Sequence, residues 1–181
     1  MLEMYPWFFD LVVWILPILT AVSWREATKA WVSHFRGDST AKMLGYGSFN
    51  LLKNLHPLGS IVAPLILAVR HNFVYAWARP VDIRTNFLNH GKWDTAIVAL
   101  SAILSNLLMA AFWAYIAYGA QWITFNIEVK DIMLDMGKAG VHINLLLFLV
   151  HLVPVAPMDM SLIVREFLPR YVRSIYTITD E

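Results

Sequence analysis

The chain has 181 residues, of which 59% are hydrophobic and only 15% charged, against about a quarter charged in an average soluble domain. Fourteen Lys+Arg nearly balance thirteen Asp+Glu, so the basic surplus of a nucleic-acid binder is missing, and the absence of cysteine excludes a disulfide framework, a zinc finger or a thiol nucleophile. The apolar residues fall in long runs, and eight Trp with seven Tyr suit the aromatic belts of a membrane protein.

The N-terminus carries Glu3 and no Lys or Arg before Trp7-Phe8-Phe9, unlike a cleaved signal, so the first apolar segment is expected to belong to the mature protein. A helix crossing a bilayer core needs about 20 apolar residues. The first crossing is predicted over about 7–35, with Arg25, Glu26 and Lys29 interrupting it. Leu58–Ala78 has an apolar stretch too short to cross, Ile61–Val69, with Pro64 inside and Arg70 after it. It reads as a re-entrant or interfacial segment between the first and second crossings. The next crossing is predicted over about 95–122 and the last over about 139–158, both free of Asp, Glu, Lys and Arg until Asp159. Residues 161–176 suit an amphipathic helix at the membrane surface. The expected class is an all-α polytopic membrane protein, one domain over 1–181.

Positive charge orients these crossings. With the N-terminus outside, Arg36, Lys42, Lys53, Arg70, Arg79, Arg84 and Lys92 lie inside, with Arg165, Arg170 and Arg173 of the tail. A loop over 123–138 would lie outside, with Lys130 and Lys138 outnumbered by acids. The C-terminus is then inside, and a bacterial inner membrane is the expected location.

Arg25 and Lys29 are four apart and share a helix face, with Glu26 close to it. About 27 Å of helix separates Trp7 from Arg25, which puts the cluster near the inner edge of the bilayer. Topology brings Asp159 to a similar depth. Two physical readings are open. The cations could snorkel to headgroups, or Arg25, Glu26, Lys29 and Asp159 could form a buried, neutral ion-pair network. Asn106, within an apolar helix, is expected to hydrogen-bond to a neighbouring segment. Trp93, Trp113, Trp122 and Tyr118 are expected at the belts or facing lipid, and Asp94 is a candidate cap for the helix that follows it.

The stretch Arg25-Glu26-Ala27-Thr28-Lys29-Ala30, followed by Gly37-Asp38-Ser39-Thr40-Ala41, resembles the first core helix of the site-2 protease family of intramembrane zinc metalloproteases. That family has His-Glu-x-x-His-Ala and Gly-Asp-x-Thr-Ala there. Asn54-Leu55-His56-Pro57-Leu58-Gly59, Trp77-Ala78-Arg79-Pro80-Val81, Asn106 and Pro154-Val155-Ala156-Pro157-Met158-Asp159 resemble later family motifs in the same order, from about residue 18 to 165. The resemblance implies a three-helix core with a membrane-associated segment between its first two helices. It also implies that Arg25, Lys29 and Asp159 stand at former zinc-ligand positions and that Glu26 is the remnant of the general base.

The departures carry the functional expectation. Arg and Lys cations cannot ligate zinc. Ala102-Ile103 replace a Gly-Pro pair and would fill a substrate groove, Met160 replaces a glycine, and His151 replaces an asparagine. No two of His34, His56, His71, His90, His142 and His151 are spaced to share a helical metal face, and each is expected at headgroup level or in a loop. The expectation is therefore a catalytically inactive relative, without zinc or another cofactor. It would bind transmembrane segments of other membrane proteins as a scaffold or accessory subunit, with the lipid bilayer and no nucleic acid as its further partners. Two alternatives stand beside it: an active zinc protease using His56, Glu26 and Asp159, and a subunit that moves charge or protons.

Overall fold

A computed structural model describes residues 6–48, 62, 66, 81 and 83–169. Among them there is no strand. The helices are α1 (Pro6–Phe35), α2 (Thr40–Met43), α3 (Lys92–Ala120), α4 (Ile127–His151) and α5 (Asp159–Phe167), with a 3₁₀ turn at Thr85–Phe87. Three of them, α1, α3 and α4, are long and apolar enough to cross a membrane. The re-entrant segment expected at 58–78 lies outside the described residues except for Val62 and Ile66. So do residues 170–176 of the tail.

α1 contains Pro17, which leaves the helix one backbone hydrogen bond short. Thr20 Oγ1 donates back to the carbonyls of Leu16 and Pro17, at 2.9 Å each. The buried face of α1 then meets α4: Ile18, Ala21 and Val22 form one apolar cluster with Ile143 and Leu147, flanked by Leu11 and Trp14.

α3 starts after Gly91, whose φ of 51° is cheapest for glycine. Asp94 in its first turn accepts a hydrogen bond from the His90 N–H at 2.8 Å, and its other oxygen is 3.4 Å from Arg36 Nη1. A carboxylate at a helix N-terminus meets free N–H groups and the positive end of the dipole. The same pair holds the start of α3 beside the end of α1.

The last long helix departs from the sequence expectation at both ends. Residues 127–138, expected in an outer loop, are helical: Asn126 caps α4 by accepting the Val129 N–H at 3.1 Å. The acids that suggested a loop sit on the exposed side of an extended helix, where Asp135 pairs with Lys138 at 3.0 Å. At the other end α4 stops at His151, and Pro154 and Pro157, which cannot donate a backbone hydrogen bond, lie between it and the next helix. Asp159 begins α5 and does not end α4. Met160 continues that helix.

α3 and α4 make the most extensive helix contact. Small residues permit it: a Cβ at Gly137 would lie 2.7 Å from the backbone N of Ala117, and one at Gly140 would lie 2.6 Å from Trp113 Cβ. Trp113, expected at a belt or facing lipid, is thus 4% exposed, because Gly140 leaves a slot for its indole. Trp93, Tyr118 and Trp122 are exposed.

Asn106 also differs. It is fully buried, yet neither amide atom has a hydrogen-bond partner among the described residues. Ala102 and Ile103, on the same helix, are fully buried as well.

Candidate functional site, a closed ring of charge

One turn of α1 supplies Arg25, Glu26 and Lys29, and the first residue of α5 supplies Asp159. Arg25 Nε donates to Glu26 Oε1 at 3.1 Å, and Arg25 Nη2 pairs with the same oxygen. Arg25 Nη1 is 3.4 Å from Asp159 Oδ2. Lys29 Nζ is 2.8 Å from Asp159 Oδ1 and 3.8 Å from Glu26 Oε2. Each carboxylate touches both cations, so the four charges alternate in sign around a ring that sums to zero. The side chains of Glu26 and Asp159 are 2% and 1% exposed, and Lys29 is 7% exposed. Such burial is tolerable only because every charge has an opposite neighbour.

His151 is the fifth member, and sequence reasoning placed it at headgroup level or in a loop. It is buried at the end of α4. Arg25 Nη1 meets its Nε2, and its Nδ1 lies 3.1 Å from Asp159 Oδ2. Asp159 meets the ring twice, its backbone N–H donating to Nδ1 at 3.3 Å while its Oδ2 lies beside the same nitrogen. The signal that could have found it is helical spacing: buried Asn144, Leu147 and His151 are three and then four residues apart, on one face of α4.

Asp159 lies outside the long helices. Burial pushes its carboxyl up, but Lys29, the His151 contact and Arg25 outweigh that and hold it well below the usual carboxylate range.

A second buried carboxylate braces the site. Asp38 follows Gly37, whose φ of 114° suits only glycine comfortably. Asp38 Oδ1 accepts the Thr40 N–H at 2.9 Å and Oδ2 accepts the Arg84 N–H at 2.8 Å. Nearby, Glu26 Oε2 accepts the Val81 N–H at 2.9 Å. Two buried carboxylates, Glu26 within α1 and Asp38 between α1 and α2, thus hold the backbone of residues 81 and 84. Burial raises the Asp38 carboxyl, and the hydrogen bonds from Thr40 and Arg84 bring it below its ordinary value.

A group lowered on folding stabilises the native state above its unfolded pKa, about 3.9, and loses that contribution as pH falls towards the folded value. Asp38→Asn is expected to cost about 1–2 kcal/mol at neutral pH, because its amide cannot accept both N–H groups. The gap between variant and wild type should narrow below about pH 4. Thermal unfolding in detergent across pH measures it.

The chain is similar to a protein of Bacillus subtilis (strain 168) named "Putative zinc metalloprotease YwhC". The two are 27% identical over 165 residues, which span 88% of this chain and 71% of that protein. No family model matches the chain, and no solved structure matches it.

The relative's name raises the question of zinc, and the donor set here does not fit it. Lys29 and Arg25 have no lone pair to give; Lys29 Nζ sits 2.8 Å from Asp159 Oδ1, and the Arg25 guanidinium stands 3.4 Å from Oδ2, putting positive charge at both oxygens although Oδ2 accepts no hydrogen bond. Arg25 also takes Nε2 of His151, the one imidazole nitrogen that would otherwise be open to a metal. Among the described residues no three His, Cys, Asp or Glu side chains are grouped to hold a metal ion. Glu26 is not placed to act as a base either, since Arg25 engages one oxygen and the Val81 N–H the other. His56, the remaining candidate for an altered zinc site, lies outside the described residues. His142 is exposed, with Nδ1 2.8 Å from the Lys138 carbonyl.

Proposed function

We propose that this chain is a catalytically silent, site-2-protease-like membrane protein in which Arg25 and Lys29 replace the charge of a zinc ion. It binds transmembrane segments of other membrane proteins, as a scaffold or accessory subunit. The carrying observation is the 2.8 Å contact of Lys29 Nζ with Asp159 Oδ1, backed by Arg25 across Glu26, Asp159 and His151. Two cations there neutralise the carboxylates without chemistry. On this reading the N-terminus is outside, the ring lies near the inner membrane face, and the client-binding apparatus outlasts the lost metal.

Metal analysis of the purified full chain tests the first half. Zinc well below one per chain is expected, with no change in thermal stability on adding a chelator. Near one zinc per chain would overturn the reading. The double variant Arg25→His, Lys29→His should take up about one zinc, because two imidazoles at i and i+4 with Asp159 make a three-ligand set. A chelator should then lower its stability. Mild-detergent purification tests the second half: a membrane protein recovered at fixed ratio supports a subunit role, and a chain recovered alone under crosslinking speaks against it.

A further inference from the structure

The end of the bundle where α1 stops and α3 begins carries a feature that the charge ring does not explain. Three cations there each lie over an aromatic ring: Lys42 Nζ 4.1 Å from the Trp31 centroid, the Arg84 guanidinium 5.9 Å from Phe87, and Lys92 Nζ 5.2 Å from Phe167 and 5.8 Å from Trp93. Large apolar side chains stand out between them, with Met43 at 84%, Trp93 at 61% and Phe87 at 55% exposed.

These pieces form one continuous rim. The Asn89 N–H donates to the Arg36 carbonyl at 2.9 Å, and Gly37 approaches the Phe87 carbonyl so closely that a Cβ would lie 2.7 Å away. Trp93 and Phe167 meet edge to face at 5.2 Å. The acids among these described segments do not cancel the cations. Asp38 and Asp94 are buried and turned inward, onto the backbone N–H groups of Thr40, Arg84 and His90 and onto Arg36, and Glu166, beside Phe167, pairs with Arg165 at 3.8 Å. The rim therefore presents positive charge and aromatic surface together, at the ends of two helices long enough to cross a bilayer.

We propose that this rim is a docking surface for anionic phospholipid headgroups of the adjoining leaflet. Lys42, Arg84 and Lys92 take the phosphates, while Met43, Phe87 and Trp93 enter the interfacial layer. Charge complementarity favours lipid as the occupant. The cations follow the ends of the helices, at the depth where a leaflet places its phosphates, and the rings beside them have the amphipathic character that settles at that depth. The inference is independent of whether the charge ring ever held zinc.

The test uses the full chain in nanodiscs of phosphatidylcholine mixed with phosphatidylglycerol, followed by native mass spectrometry of the lipids it retains. An enrichment of phosphatidylglycerol of at least about tenfold is expected, since about fivefold for each cation near an anionic surface compounds to about a hundredfold for three. The triple variant Lys42→Gln, Arg84→Gln, Lys92→Gln should lose most of it. Raising the salt concentration on the wild type, which needs no substitution, should lower it in the same direction. Equal retention of the two lipids by the wild type, or enrichment that ignores salt, would overturn the proposal. So would a dimer of fixed stoichiometry whose crosslinks run through Met43 and Phe87, since the rim would then belong to a second copy of the chain.

Discussion

Asp159→Ala is expected to destabilise the protein by about 3–5 kcal/mol, the usual cost of removing one partner from a buried ion pair. The substitution leaves Lys29 and Arg25 facing Glu26 alone, so two cations share one anion in a site from which water is nearly excluded. It also removes the carboxylate that His151 Nδ1 faces. Arg25→Ala should act in the same direction, leaving two carboxylates to Lys29. The informative variant is the double one. Lys29→Met with Asp159→Leu removes one cation and one anion and keeps the Arg25–Glu26 pair, so the site stays neutral. Replacing a buried pair by apolar residues of similar volume is often neutral. The double variant should therefore recover most of the loss of its own singles, Lys29→Met and Asp159→Leu, a strongly non-additive cycle. Thermal or denaturant unfolding in detergent gives the three numbers. Full stability of Asp159→Ala, or additive losses in the double variant, would show that the ring does not hold the fold.

The helical class was legible because long apolar runs leave a chain no other way to satisfy its backbone in lipid. That Arg25 and Lys29 share a face follows from their spacing alone, whatever surrounds them. The rest of the ring was less accessible for physical reasons. Asp159 reaches Lys29 because the chain turns after His151 and begins α5 there, and a turn built from two prolines fixes no direction in a hydropathy profile. His151 is hard to place from sequence because a lone histidine near a helix end resembles a headgroup residue unless its buried neighbours are known. The start of α4 escapes a hydropathy reading because Glu128, Lys130, Asp131 and Asp135 look like loop, although a helix carries charge readily once it leaves the apolar layer or faces solvent. Trp113 and Asn106 show the same limit. An indole reads as belt until a glycine opposite opens a slot for it, and an asparagine in an apolar run reads as bonded until its surroundings are in view.

The second large effect lies at the α3–α4 contact, where one substitution type should give opposite signs at different glycines. Gly137→Ala and Gly140→Ala are each expected to cost about 2–3 kcal/mol, in the range of overpacked cores. Neither clash can be relieved by rotating a side chain. The new Cβ at 137 would meet the Ala117 backbone, with N at 2.7 Å and Cα at 2.8 Å, and the one at 140 would meet Trp113 Cβ at 2.6 Å. A Cβ is fixed to its backbone, so the helices must separate, and Trp113 loses the slot that buries it. Gly119→Ala, on α3 itself, meets nothing within 4 Å and should be neutral or stabilising by up to about 1 kcal/mol, since alanine favours helix. Separation would also move the end of α4, which delivers His151 to Arg25, so the two costly variants should lose part of the charge ring along with the helix contact. In that case Gly140→Ala and Asp159→Ala would share a loss, and their combination should cost less than the sum of the two. Equal effects at all three glycines would mean that close approach of the backbones does not hold α3 against α4.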